Sequence, residues 1–169
     1  RPSGLWKEAL QQAASLGLIE WDSGWRIEFK DLDSSQYLGG KWLEEYAWLV
    51  AHECGFDDFR AGVEVTWEEG LMNRDKARNE FDLLLVHENR MLVVECKTAN
   101  LYSGPESGQE VVNRLESLGR NAGGLFGSTL LLSARGLPNE VRNRCASQGV
   151  GVRQGEELRK LKQDLETWK

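Results

Sequence analysis

Apolar and polar positions along the chain follow two periods. Residues 5–16, LWKEALQQAASL, carry the recurrence of a short amphipathic helix, and Gly17 stops it. LIEW-DSG-WRIEF then sets Trp21 and Trp25 on either side of a turn at Ser23-Gly24, the pattern of a hairpin. Asp33-Ser34-Ser35 offers oxygens that cap a helix running through QYLGGKWLEEYAWLVAHEC to Gly55. Trp42, Leu43, Tyr46, Leu49 and Val50 make its apolar face. AGVEVTWE alternates at period two, as a half-buried strand does. NEFDLLLVH (79–87) and RMLVVECK (90–97) are apolar through their centres, the pattern of strands buried on both faces. Beyond them, residues 106–118 read as a helix and STLLLSA as a buried strand. PNEVRNRCASQ reads as a helix, VGVR as a short strand and GEELRKLKQDLETWK as a closing helix. This order predicts an α/β sandwich with a mixed sheet over residues 34–169. Residues 1–33 form a small helix-plus-hairpin appendage, either a winged nucleic-acid-binding element or a connector that docks a further domain; the hairpin's Glu20, Asp22 and Glu28 against a single Arg26 favour the connector.

Composition narrows the function classes. The 169 residues carry a formal net charge of −6, and residues 37–70 hold two basic against eight acidic side chains. A uniformly basic nucleic-acid coat is excluded, whereas a local basic face is not. Three cysteines without a C-x-x-C pair argue against a disulfide framework and a cysteine-built zinc site, and predict a cytosolic setting. His52 and His87 have no partner histidine at ligand spacing, and no G-x-x-x-x-G-K-[ST] loop occurs. No stretch has the roughly 20 apolar residues of a membrane span, and no secretory leader is evident. A chain opening on Arg1-Pro2-Ser3 is expected to be a processed product or an excised domain.

The chemistry concentrates in the hairpin 79–97. A two-residue turn at Glu88-Asn89 suits Asn, which tolerates left-handed backbone. That turn sets Asp82 opposite Glu95 and Glu80 opposite Lys97. Opposed carboxylates at the end of a buried hairpin repel and require a partner, for which a divalent cation is suited. The alternative is that Asp82 and Glu95 each pair with a separate surface Lys or Arg. Arg74, Lys76 and Arg78 form a basic loop leading into the first of these strands, and Arg114 lies on the next helix. Each is a candidate for phosphate contact or for ordinary solvated surface.

Asp82 followed by Glu95-Cys96-Lys97 resembles the D…E-x-K core of the PD-(D/E)xK nucleases, the restriction-endonuclease-like superfamily. Gly40, Glu44 and Gly55 keep a spacing similar to that of archaeal Holliday junction resolvases. GGKWLEEYAWLV, NEFDLLLVHENRMLVVECKT and AGGLFGSTLLLSA are more similar still to the nuclease domain of type III CRISPR-associated effectors. In those proteins an N-terminal Rossmann-fold domain senses cyclic oligoadenylate. The resemblance covers about residues 36–153 and does not include a sensor domain.

The resemblance implies a restriction-endonuclease-like sandwich and a metal-dependent endonuclease acting on DNA, RNA or both. Asp82, Glu95 and the Cys96 backbone carbonyl would hold Mg²⁺ or Mn²⁺, with Glu44 completing the set. Lys97 would position the attacking water or stabilise charge on the phosphate. Glu45 competes with Glu44: a helical wheel favours Glu45, the spacing from Gly40 favours Glu44. Glu80 would orient Lys97 or form a strand-end ion pair. Asn79 and Thr98 would support the site or simply bound their strands. A homodimer, and activation by cyclic oligoadenylate through a sensor domain absent from this chain, follow from the same likeness. Two other readings stand beside it: a structure-selective resolvase-type nuclease, and a catalytically silent binding or dimerisation module.

Overall fold

In the computed structural model, residues 2–66, 78–102 and 107–169 are described. The chain divides into two compact units, residues 1–42 and Leu43–Lys169. The first contains helix α1 (Leu5–Ser15), an antiparallel hairpin of β1 (Ile19–Trp21) and β2 (Ile27–Phe29), and helix α2 (Leu32–Gln36). The hairpin turns at Ser23, whose φ is +65°, where Asp22 accepts the Gly24 N–H at 2.7 Å. Helix α2 begins earlier than Asp33-Ser34-Ser35 suggests. Asp31 is extended, and its carboxylate accepts the Ser34 N–H at 2.8 Å, so Asp31 is the cap. One π turn (Tyr37–Lys41), containing Gly39-Gly40, follows.

The second unit contains α3 (Trp42–Cys54) from Leu43 onward, β3 (Asp58–Thr66), β4 (Arg78–His87), β5 (Arg90–Lys97), α4 (Gly108–Gly123), β6 (Gly127–Ser133), α5 (Asn139–Gln148), β7 (Gly151–Gln154) and α6 (Leu161–Trp168). One sheet runs β3-β4-β5-β6-β7. Its first three strands pair antiparallel and its last three parallel, which makes it mixed. Glu88 and Asn89 take φ of +49° and +62°, the two left-handed residues of a tight hairpin turn. That turn fixes the expected register, with His87 opposite Arg90 and Leu83 opposite Val94.

Helices α4 and α5 cover one face of the sheet. Val111, Val112, Leu115, Val141 and Cys145 bury against Phe81, Val93 and Leu131 there. Leu83, Leu85, Leu92, Val94 and Leu132 alternate with that set and are buried on the opposite face. On that side α3 and the C-terminal segment are tied together, Tyr46 Oη donating to the Leu158 carbonyl at 3.0 Å and Lys162 pairing with Glu53. Ser107 and Glu110 close a reciprocal capping box at the start of α4. The closing segment expected as one helix begins with a 3₁₀ stretch, Gly155–Lys160, before α6. The result is a mixed α/β fold with a five-stranded sheet flanked by helices.

Candidate active site

The end of the β4–β5 hairpin away from its turn is irregular. Register between β3 and β4 runs from Ala61–Leu83 to Val63–Phe81 and passes over Gly62 and Asp82. Gly62 has φ of +61°, a conformation that favours glycine. Phe81 and Leu84, three residues apart, both pack on the α4 side, so period-two alternation breaks between them. Toward β5 the pairing stops at Leu83–Val94. Beyond it the Cys96 N–H donates to Asp82 Oδ2 at 2.6 Å. A side chain thus takes the hydrogen bond with which a continuing ladder would have closed the sheet. Irregular strand pairs of this kind re-aim side chains beside functional sites.

This corrects one expectation. Neither Asp82–Glu95 nor Glu80–Lys97 is a ladder pair, because the ladder ends before reaching them. Glu80 is exposed and stands opposite Glu64 of β3. The Lys97 ammonium lies 2.9 Å from Glu95 Oε1, its neighbour on the same strand face.

Asp82 and Glu95 nevertheless share one electrostatic environment. Burial pushes the Asp82 carboxyl up to about 7, and the negative charges of Glu95 and Glu44 add to the rise. The Cys96 N–H and Lys97 work against it. The Cys96 thiol is held well above its ordinary range by burial and then by Asp82, Glu44 and Glu95. Its sulfur lies on the α3 side, 4.0 Å from the Leu43 carbonyl. Glu44, in the first turn of α3, is half-buried and its charge is felt by both Asp82 and Cys96, whereas Glu45 is exposed.

Glu95 is 5% exposed. The same Oε1 atom that meets Lys97 also accepts from the Arg114 guanidinium at 2.7 Å. The sequence presents Arg114 as a phosphate contact or as solvated surface, and its reach to Glu95 needs the phase of α4 against β5. Among the described residues, no three His, Cys, Asp or Glu side chains stand together so as to enclose a metal ion. For Glu95 the alternative of pairing with Lys or Arg is thus met, while Asp82 stays near enough for the Glu95 charge to raise it; two carboxylates so placed are a donor set that suits a hard divalent cation. Thr98 follows β5, and its carbonyl accepts from Arg135 Nε at 3.1 Å. Asn79 pairs with Val65 on the outer strand. Arg74 and Lys76 lie outside the described residues, and Arg78 opens β4.

No helix among the described residues is long and apolar enough to cross a membrane. No curated relative matches the chain. Among solved structures, protein VC1899 from Vibrio cholerae is similar with 25% identity and a TM-score of 0.80, over 96% of this chain and 42% of that one. Can2 from Sulfobacillus thermosulfidooxidans, in complex with cyclic tetra-adenylate, is 20% identical with a TM-score of 0.77, over 99% of this chain and 46% of that one. The small subunit of the heterodimeric restriction endonuclease R.BspD6I shares the fold at 17% identity and a TM-score of 0.50, over 75% of this chain and 69% of that one. The chain thus spans less than half the length of the first two. The model of the Card1-like endonuclease domain matches residues 31–169, a stretch that contains Glu44, Asp82, Glu95 and Lys97, and the chain belongs to that family.

Proposed function

We propose that this chain is the nuclease domain of a CRISPR-associated effector and hydrolyses phosphodiester bonds in DNA, RNA or both with Mg²⁺ or Mn²⁺. The observation that carries the reading is Asp82, a carboxylate held near neutral titration by burial, Glu95 and Glu44 where the sheet opens. Asp82, Glu95 and the Cys96 carbonyl would hold the cation, with Glu44 reaching it from α3. When bound, the cation polarises the scissile phosphate and lowers the pKa of a water molecule. Lys97 orients that water and offers a proton donor beside the phosphate oxygens. Arg74, Lys76 and Arg78 hold the strand by its phosphates. Glu80, Asn79 and Thr98 border the site and fix its edges.

Residues 1–33 serve as a connector to a sensor domain outside this chain. Can2 binds cyclic tetra-adenylate, and a cyclic oligoadenylate acting through such a sensor is the activator proposed here. Two copies of the chain act together as a homodimer, and the site of action is the cytoplasm. An acidic domain has weak intrinsic affinity for polyanions, so pairing and cation binding both favour substrate capture.

The test is cleavage of supercoiled plasmid and of labelled single strands, with Mn²⁺ or EDTA, by the wild type and by Asp82→Asn. Cutting that needs Mn²⁺ and disappears in the variant supports the reading. Equal cutting by both proteins overturns the site. If neither cuts, the full-length protein with cyclic tetra-adenylate decides, and continued inactivity there overturns the nuclease reading.

A further inference from the structure

One buried carboxylate oxygen, Glu95 Oε1, meets two cations, Arg114 at 2.7 Å and Lys97 at 2.9 Å. The two are tethered differently. Lys97 sits two residues away on the same strand face and stays beside Glu95 whatever α4 does. Arg114 reaches in from α4, and its side chain is 43% exposed against 7% for that of Glu95. Its guanidinium already borders solvent, so it can leave with little loss of burial.

Charge gives it a reason to leave. Asp82 and Glu44 bring further negative charge to the same end of β5. A divalent cation entering there draws Glu95 as an oxygen ligand and repels the guanidinium. Geometry gives it a destination, since the planar fork that grips a carboxylate grips a phosphate equally well.

We propose that Arg114 is an exchangeable counter-ion, holding Glu95 until a divalent cation arrives and then turning to a phosphate of the nucleic-acid strand. This rests on the reading of the site as a cation-dependent nuclease centre. The exchange couples the two ligands: the cation releases a phosphate donor, and the phosphate removes a competitor for Glu95. Each tightens the other by the same factor.

The test is calorimetric titration of Mn²⁺ alone into wild type, R114Q, R114K and D82N, paired with binding of a labelled oligonucleotide in Ca²⁺ or EDTA. R114Q is expected to bind Mn²⁺ about three- to tenfold more tightly, having lost the competitor. In Ca²⁺ it binds the oligonucleotide about three- to tenfold more weakly, with a salt slope smaller by about one. In EDTA its oligonucleotide affinity stays within about twofold of wild type, because Arg114 is then engaged on Glu95. R114K keeps the charge and holds Mn²⁺ affinity within about twofold of wild type, yet loses about threefold in Ca²⁺-dependent binding for want of the fork.

Unchanged or weaker Mn²⁺ binding by R114Q overturns the exchange, as does an equal loss of oligonucleotide affinity in EDTA and Ca²⁺. If wild type shows no Mn²⁺ binding that D82N abolishes, the cation centre itself falls and the exchange with it.

Discussion

Asp82 and Cys96 are joined by a hydrogen bond that a regular sheet would not contain: the Cys96 N–H donates to Asp82 Oδ2 at 2.6 Å. The bond holds an acidic side chain where two strands part. It also opposes the rise in the Asp82 carboxyl without cancelling it, since burial, Glu95 and Glu44 together bring that group to about 7. The protein keeps a carboxylate in a place that disfavours its charge, as expected of a site built for a cation rather than for stability.

Asp82→Asn separates these two demands. The Asn side-chain oxygen can still accept the Cys96 N–H, and the charge is gone. An acid with a raised pKa in the folded state weakens folding as pH climbs from its unfolded value through its folded one. Asp82 therefore subtracts stability between about pH 4 and pH 7, and fully above that. Without divalent cations the variant is expected to gain on the order of 2 kcal/mol at pH 8 and nothing at pH 4. Calorimetric unfolding at the two pH values checks this. Equal stability of variant and wild type at pH 8 would remove the repulsion from the account.

The same titration is expected to control Mn²⁺ binding at the proposed site. Below about pH 6 Asp82 is mostly protonated and a poor ligand. The rise in unfolding temperature caused by a fixed Mn²⁺ concentration is expected to grow from about pH 5.5 to pH 8, following the population of the carboxylate. Asp82→Asn abolishes the growth. A Mn²⁺ effect independent of pH in the wild type would show that another group carries the binding.

Gly62 is the glycine opposite the irregular step, with φ of +61°, and a methyl group on its Cα would meet nothing nearer than Glu80 Oε1 at 4.0 Å. Space is therefore open, and Gly62→Ala suffers only from its backbone conformation. The expected cost is about 1–2 kcal/mol. Because the strain falls beside Asp82, cleavage is expected to drop more than that loss of stability explains. Parallel denaturant unfolding and cleavage rates under folded conditions measure the two effects. A variant that cuts normally would show that the turn of the strand at Gly62 does not position Asp82.

How far the sequence foretold this site differs from feature to feature. The dense apolar centres LLLV and MLVV, with Asn89 at the turn, were enough to set the register of β4 against β5. The same period-two rule fails beyond Leu83, where a left-handed Gly62 and a side-chain hydrogen bond interrupt it. Gly62 is visible in AGVEVT, yet an isolated strand glycine marks a break without saying which way the chain shifts. Glu95 and Arg114 are 19 residues apart, and their contact depends on how α4 rolls onto the sheet, which helical periodicity specifies only to within a turn. The cap at Asp31 rather than Asp33 turns on one extended residue, a choice that the neighbouring Asp and Ser side chains leave open.

Packing of α4 at the turn end of the hairpin, where Gly127 lies beside Met91, gives a further prediction. A Cβ on Gly127, where β6 begins, would stand 2.8 Å from the Gly119 carbonyl oxygen and 2.8 Å from Gly123 Cα. Both belong to the backbone of α4, which cannot yield as a side-chain tip does. Gly127→Ala is expected to cost about 2–3 kcal/mol by pushing α4 off the sheet. Since α4 carries Arg114, the Arg114–Glu95 contact loosens with it. Thermal unfolding checks the first effect, and an unchanged midpoint would mean that α4 does not rest on this glycine.

The same electrostatics favour Glu44 over Glu45 as the helix carboxylate. Glu44 is half-buried, and its charge raises both Asp82 and Cys96; Glu45 faces solvent one residue on. Neutralising Glu44 removes a source of repulsion, so the Asp82 carboxyl in Glu44→Gln moves down, toward its ordinary range. It also replaces a charged carboxylate of the proposed cation site with a weaker, neutral amide oxygen. Mn²⁺ affinity and cleavage are expected to fall about 10- to 100-fold in Glu44→Gln, and to stay within about twofold of wild type in Glu45→Gln, whose charge is screened by water. Calorimetric Mn²⁺ titration and NMR of the carboxyl carbons measure both quantities. A large loss in Glu45→Gln with Glu44→Gln unaffected would reverse the assignment, and a downward shift of Asp82 without loss of Mn²⁺ would make Glu44 a neighbour of the site rather than a ligand.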